Sequence, residues 1–320
     1  MNAIVSNDST GIDHLFPFTL TRSVLDIRLG ILTLREKKER LNASVNPTDF
    51  PIASAGADQL RHPWDIFRLN AAAIAEDFKL LTKDRISQPI PSSVQTLSPE
   101  NIFIEEGAKI ACSVLNASAG PIYIGRNTEI MEGSLIRGPF ALCEGSIVKM
   151  GSKIYGATTI GPSSIVGGEI KNSVIFGFSN KAHDGYLGDA VIGEWCNLGA
   201  GTSNSNVKNT GSEVKVWNKP TGTFAGTGLD KCGLLMGDYS RCSINTSFTT
   251  GTVVGVCCNI IAAGLTPGYI PSFTWGQPGR GTTKYEFNKA LRDIGNWKKF
   301  KDRSLTDKEI QVLKHIFEGS

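Results

Sequence analysis

Between Ile124 and Val166 an aliphatic side chain recurs at every sixth residue: Ile124, Ile130, Ile136, Leu142, Val148, Ile154, Ile160 and Val166. A helix repeats at 3.6 residues and a half-buried strand at 2.0, so neither selects each sixth position alone. The period describes a repeated turn. One short strand and one corner use six residues, three units close a coil, and the aliphatics point into a prism that only stacked coils can dry. Four places after these aliphatics stand Thr128, Ser134, Ser146, Ser152, Thr158 and Ser164, small enough for a tight corner, and Gly133, Gly145 and Gly151 add permissive backbone there.

The architecture with this repeat is a left-handed parallel β-helix, so the expected class is mainly β, with small helical regions before and after. At 320 residues and 40% apolar content the chain can bury one large or two smaller cores. A net charge of +3 gives no argument for nucleic acid or an anionic membrane as partner. Seven cysteines form no C-x-x-C pair; Cys112, Cys143, Cys196 and Cys242 fall inside the repeats, where small thiols serve packing rather than disulfides or metal. Without a signal segment, long apolar run or lipidation motif, the expected location is cytoplasmic.

Residues 1–100 do not repeat. Leu25, Ile27, Leu29, Ile31, Leu32 and Leu34 suggest an amphipathic helix leading into the charged run Arg35 to Arg40, and 46–57 reads as a linker. Pro63-Trp64-Asp65-Ile66-Phe67 opens a second helix to about Leu81. The prism is expected over 101–270, with a register jump after Val166 that sends Val174, Asn180, Tyr186, Ile192 and Leu198 inward. An excursion interrupts it at 203–232, and the region 271–320 carries helices at 283–299 and 306–317 that would close the open end.

The informative stretch is Lys171 to Asn206. It holds His183-Asp184-Gly185-Tyr186-Leu187-Gly188-Asp189, then Asn197-Leu198-Gly199-Ala200-Gly201-Thr202, then Asn206. This resembles the acetyltransferase half of the bacterial bifunctional N-acetylglucosamine-1-phosphate uridyltransferase/glucosamine-1-phosphate N-acetyltransferase family, over 102 to about 264. Pro17-Phe18-Thr19-Leu20-Thr21-Arg22 resembles a segment of sugar nucleotidyltransferases, but the glycine-rich phosphate loop of that fold is absent. The first hundred residues thus read as a shortened, degenerate remnant or helical cap without uridyltransferase activity.

The resemblance implies an acetyl-CoA-dependent N-acetyltransferase acting on an amino-sugar phosphate, most simply glucosamine 1-phosphate, in UDP-N-acetylglucosamine synthesis for the cell envelope. Acetyl-CoA is the co-substrate, and a homotrimer with sites between subunits is the expected assembly. It also implies that His183 is the general base, that Lys153, Lys171, Tyr186, Asn197 and Asn206 bind substrate, and that Ala200 and Ala263 line the coenzyme path. Glu169 is a candidate for orienting the imidazole. Amine attack on a thioester needs a proton acceptor near neutral pH, and His183 is the one histidine of four inside the repeats. Eighteen residues separate Lys153 from Lys171, which in an unbroken register stacks them on successive coils, where an anion would relieve their repulsion. The family has arginine and lysine there, so Lys153 lacks a bidentate fork. Ser212, between Lys208 and Lys215, falls near a family lysine. Arg292, Lys298, Lys299 and Lys301 read more simply as a solvated helix face than as coenzyme ligands.

No metal site is expected. A γ-type carbonic anhydrase on the same scaffold needs three zinc-binding histidines, and only His183 is available in the repeats. The competing reading is a catalytically inactive sugar-nucleotide-binding or assembly subunit.

Overall fold

Short parallel strands stack into three faces of a prism in the computed structural model, which describes residues 13–44, 60–262 and 264–320. The linker expected at 46–57 lies outside the described residues. On the first face Ile102–Ile104, Ile122–Ile124, Phe140–Leu142 and Thr158–Ile160 pair in register. Lys109–Ile110, Glu129–Ile130, Ile147–Val148 and Ile165–Val166 form the second. The third begins at Gln95–Leu97 and runs through Val114–Asn116, Leu135–Arg137 and Lys153–Ile154. The result is a left-handed β-helix of about ten coils. Ile124, Ile130, Ile136, Leu142, Val148, Ile154, Ile160 and Val166 all line its core, each at most 3% exposed. The corner hydroxyls are buried and hydrogen-bonded: Ser146 donates to Gly161 O (2.7 Å), Ser164 to Phe176 O (2.9 Å) and Thr128 to Gly125 O (2.8 Å). They satisfy carbonyls that the corners would otherwise leave unpaired.

After Val166 the register differs from the expected one. Ile154 stands beside Ile170, Ile160 beside Ile175 and Val166 beside Lys181, so these coils are shorter than eighteen residues. Val174, Asn180 and Tyr186 therefore do not point inward; their neighbours Ile175, Lys181 and Leu187 hold the core positions, while Ile192 and Leu198 are inward as expected. Two residues are lost at the corner between Val166 and Ile170, and one at each place where the long strands Glu169–Ile175 and Tyr186–Ile192 bend from the third face into the first without a loop. Asn172 (φ 45°) and Asp189 (φ 49°) make that bend in the left-handed region, which Asn and Asp tolerate. The coil then continues through Ser203–Asn204, paired with Ser247–Phe248, so the excursion leaves after Ser205. Its hairpin, Lys215–Asn218 with Thr223–Gly226, folds back on the same chain and stacks Trp217 on Tyr269 at 4.4 Å.

Residues 13–44 and 60–82 cover the first face. Its outward side chains are apolar, and Val174, Phe176, Val191, Leu235 and Val253 pack against Phe16, Phe18, Trp64 and Phe67. Thr21 donates to Asp238 (2.6 Å) and Arg22 pairs with Asp238 and Glu194, so the Pro17–Arg22 segment anchors this region to the coils. The helix expected over Leu25 to Leu34 is instead a hairpin, Arg28–Leu29 with Leu32–Thr33, and the charged run forms the helix Leu34–Ser44. The reason is Gly30, whose φ of +82° makes the turn and whose place a Cβ would fill at 2.4 Å from Asp77. The helix Asp65–Thr82 lies where expected.

The C-terminal helices, Phe287–Lys299 and Asp307–Glu318, do not close the end of the prism. They lie along the corner between first and second faces. At successive coils the left-handed residue of that corner is Gly107, Asn127, Gly145, Ser163, Phe178, Trp195, Tyr239, Cys257 and Phe273. Small or polar residues occupy it early and mostly aromatic ones later, where the helices cover it. Burying an aromatic ring offsets the cost, of order 1–3 kcal/mol, of holding a bulky residue at positive φ. The last edge of the second face is covered by Gly281–Lys284, which pairs antiparallel with Thr274–Gln277, so the helix expected from Thr283 starts only at Phe287. Lys298 is buried against Glu309 and over Trp195, and Lys301 donates to Ser163 O, so neither is simply solvated. Among the described residues no helix is long and apolar enough to cross a membrane.

Candidate functional site

Among the described residues neither terminal region covers the third face or its corner with the second face, and the residues singled out from the sequence gather mainly there. In-register pairing sets outward residues in rows up the third face: Leu135, Lys153, Glu169 and Tyr186 in one, and Lys171 beside Gly188 in the next. Lys153 is thus opposite Glu169. The stacking of Lys153 directly on Lys171 does not occur, because the short coil moves Lys171 two residues along its strand; the two cations are diagonal neighbours with Glu169 between them.

Tyr186 folds its ring over Gly188, where a Cβ would meet the phenol oxygen at 2.2 Å, so only glycine allows the ring to lie flat on the strand. The phenol accepts from Asn206 Nδ2 (3.1 Å), and Asn206 also donates to Asp189. Asp189 takes a further bond from Asn172 Nδ2 (2.6 Å). Burial, then the nearby Asp189 and Glu169, push the Tyr186 phenol above its ordinary range, so it acts as a neutral donor. One coil later the inward place on this face belongs to Asn204, which accepts from Gly188 N (2.9 Å) and donates to Gly188 O (3.0 Å), locking the Tyr186 strand. Asp189, Asn172 and Asn204 were given no role from sequence. The signal for Asn204 is the loss of an aliphatic from an inward place, whereas Asn172 and Asp189 sit at the bends and interrupt no inward column.

His183 stands exposed on the corner turn between Lys181 of the second face and Tyr186 of the third. Gly168 lies beneath that turn at φ +76°, and a Cβ there would strike His183 O at 2.9 Å. Ala200 lies on the same corner one coil on, where Gly201 N bonds Asp184 O (3.0 Å). Ala263 lies outside the described residues. No hydrogen bond joins Glu169 to the imidazole, since the strand directs Glu169 toward Lys153 and Tyr186 instead. Asn197 is on the second face, between Asn180 and Arg241, around the corner from Lys171. Lys208 is tied to Glu213 O, Ser212 to Thr210, and Lys215 is exposed on the hairpin.

Lys181 is the unexpected member. It fills an aliphatic position of the core column, 2% exposed, and its ammonium reaches the carbonyls of Gly167 (3.2 Å) and His183. Burial pushes its pKa down to about 8, against partial support from Asp184 and Cys242. The lysine therefore holds the His183 turn at a cost in stability. Below pH 8 both folded and unfolded chains carry the proton and the folded state bears the burial penalty; between about 8 and 10.5 the unfolded chain alone keeps it, so stability rises with pH. Lys181→Met is expected to stabilise the fold by about 1–2 kcal/mol at pH 7, with the gain shrinking toward pH 10 in urea titrations. A destabilised variant at pH 7, or a gain independent of pH, would contradict this account of Lys181.

A family model described as sugar nucleotidyl transferase matches residues 3–54 and 42–86. The bifunctional protein GlmU of Synechococcus elongatus is 26% identical over 216 residues, 60% of this chain and 43% of that protein. GlmU of Methanococcus maripaludis is 30% identical over 62% of this chain and 41% of its own length. An uncharacterized acetyltransferase YaiX of Escherichia coli is 31% identical over 47% of this chain and 66% of the relative. The chain spans less than half the length of the GlmU proteins it matches. The chain is thus similar to part of GlmU, and its first residues are similar to sugar nucleotidyl transferases.

Proposed function

We propose that this chain transfers an acetyl group from acetyl-CoA to the amine of an amino-sugar phosphate, glucosamine 1-phosphate being the first candidate, with His183 as general base. The observation that carries the reading is the exposed imidazole on the uncovered corner, at the edge of the face that carries Lys171, Tyr186 and Asn206. The neutral amine attacks the thioester carbonyl, a C–N bond forms, His183 takes the amine proton, and the C–S bond breaks to release coenzyme A thiol. Lys153 and Lys171 would receive the phosphate, with Glu169 tempering their repulsion. Tyr186 and Asn206 offer hydrogen bonds to sugar hydroxyls, and the small side chain of Ala200 leaves room for the pantetheine arm. The buried cysteines are held protonated by desolvation, which favours direct transfer over a thioester on the enzyme.

A homotrimer is part of the proposal. Exposed apolar residues, Met150 (68%), Ile244 (64%) and Leu265 (72%) among them, line the same corner and face, as an interface between copies would require. Asn197, around the corner from Lys171 in one chain, could then face the Lys171 of a neighbour. Light scattering is expected to give three times the chain mass; a monomer would remove this part. Thiol release from acetyl-CoA in the presence of glucosamine 1-phosphate tests the reaction. A second reading, a binding subunit without activity, is favoured by the absence of a hydrogen-bond partner for the imidazole among the described residues, and predicts sugar binding without thiol release.

A further inference from the structure

A groove runs along the opposite edge of the prism, where the N-terminal region, the corner between first and second faces and the segment after Lys299 converge. It consists of two adjoining cavities of about 430 and 480 Å³ that share Arg40, Leu81, Tyr123 and Glu144. The size suits a small organic ligand. Its lining mixes apolar side chains, Ile31, Leu32, Leu81 and Phe178 with the Tyr123 ring, with five arginines and three glutamates.

Two of the five arginines that line it are already engaged. Arg85 forks onto Glu105 at 2.9 and 2.6 Å, with the Tyr123 hydroxyl on the same carboxylate at 2.7 Å, while Arg28 donates to Ile31 O and lies 3.7 Å from Glu36. Arg40, Arg126 and Arg303 have no carboxylate within ion-pair distance among the described residues. Against them stands Glu144 alone. Three guanidiniums from three separate parts of the chain thus border the groove, Arg126 at one cavity, Arg303 at the other and Arg40 at both, and against Glu144 they leave an excess of two positive charges. Guanidinium forks match phosphate oxygens in pairs. The apolar part of the lining, with Tyr123 and Leu81 in both cavities, suits an organic body attached to that anion better than a free inorganic ion.

We infer that this groove binds a nucleoside diphosphate, its two phosphates on Arg40, Arg126 and Arg303 and its nucleoside on the apolar side chains. The inference does not rest on the acetyl-transfer reading, because the groove and the His183 corner are on different edges. Such a ligand would join the N-terminal cap, the coils and the C-terminal segment.

Calorimetric titration of the full chain with uridine diphosphate, adenosine diphosphate and inorganic pyrophosphate tests it. At least one nucleoside diphosphate should bind more tightly than pyrophosphate, and binding should weaken as salt is raised. Arg126→Gln with Arg303→Gln should lower that affinity at least tenfold with an unchanged melting temperature, since neither side chain makes an ion pair in the fold. His183→Ala and Lys171→Ala should leave it unchanged. No nucleoside diphosphate binding, pyrophosphate binding as tight as either nucleotide, or binding lost with Lys171 rather than with the arginines would each overturn the assignment.

Discussion

His183→Ala is expected to slow acetylation of the amino-sugar phosphate by about 10²-fold or more, with little change in the unfolding midpoint. Structure and chemistry separate cleanly at this residue. What the fold uses is its backbone carbonyl, which accepts from Lys181, while the imidazole is exposed and has no hydrogen-bond partner among the described residues. Alanine keeps the carbonyl and removes only the proton acceptor, so the loss should appear in kcat rather than in stability. Lys171→Ala, in contrast, should raise KM for the phosphorylated sugar. An unchanged acetylation rate in His183→Ala would remove the base from the mechanism.

Asp77→Ala is expected to cost about 3–5 kcal/mol, the usual penalty for leaving a buried charge without its partner. Asp77 accepts from the amides of Ile31 (2.7 Å) and Leu32 (3.0 Å) and from Lys37 (3.0 Å), both charged residues being nearly inaccessible. One carboxylate thus ties the Arg28–Thr33 hairpin and the helix Leu34–Ser44 to the helix Asp65–Thr82. Burial raises its pKa to about 6 although Lys37 and the two amides oppose the shift. Since the folded carboxyl holds its proton more tightly than the unfolded one, Asp77 contributes less stability as pH rises from about 4 to 6 and a constant amount above. The stability difference between wild type and Asp77→Asn should fall through that window in urea titrations. A loss below about 1 kcal/mol in Asp77→Ala, or a difference that rises with pH, would show that the contact is not what holds the cap.

Much of the prism was legible because its physics is local. Ile124 to Val166 each had to be aliphatic to dry the interior, and Ser146 or Ser164 had to be small and hydroxylic to fill a corner and satisfy a carbonyl. Legibility failed where coils shortened. A six-residue rule carries Val166 to Asn172 and cannot foresee that Ile170 takes the inward place or that the chain bends at Asn172 without a loop. That shortening hid Lys181 in the core column and moved Lys171 off Lys153. The cap misled for a related reason: Leu25 to Leu34 carries enough leucine and isoleucine for a helix face, but Gly30 turns it into a hairpin that buries the same residues. Phe178, Trp195 and Tyr239 sit at positive φ only because the distant C-terminal helices cover them, which no local pattern records. Tyr186, Asn206 and His183 could be picked out by motif, whereas the Asp189–Asn172 network that braces two of them emerged only from the stacking of two bent strands.

The central claim is that the uncovered corner moves an acetyl group onto a sugar amine. Mass spectrometry of the sugar after incubation of wild-type protein with acetyl-labelled coenzyme A and glucosamine 1-phosphate reads this directly. The account predicts one labelled N-acetyl group per coenzyme A released, formed about 10²-fold or more slowly with His183→Ala. Unmodified sugar from wild-type protein, across glucosamine 1-phosphate and other amino-sugar phosphates, would contradict it.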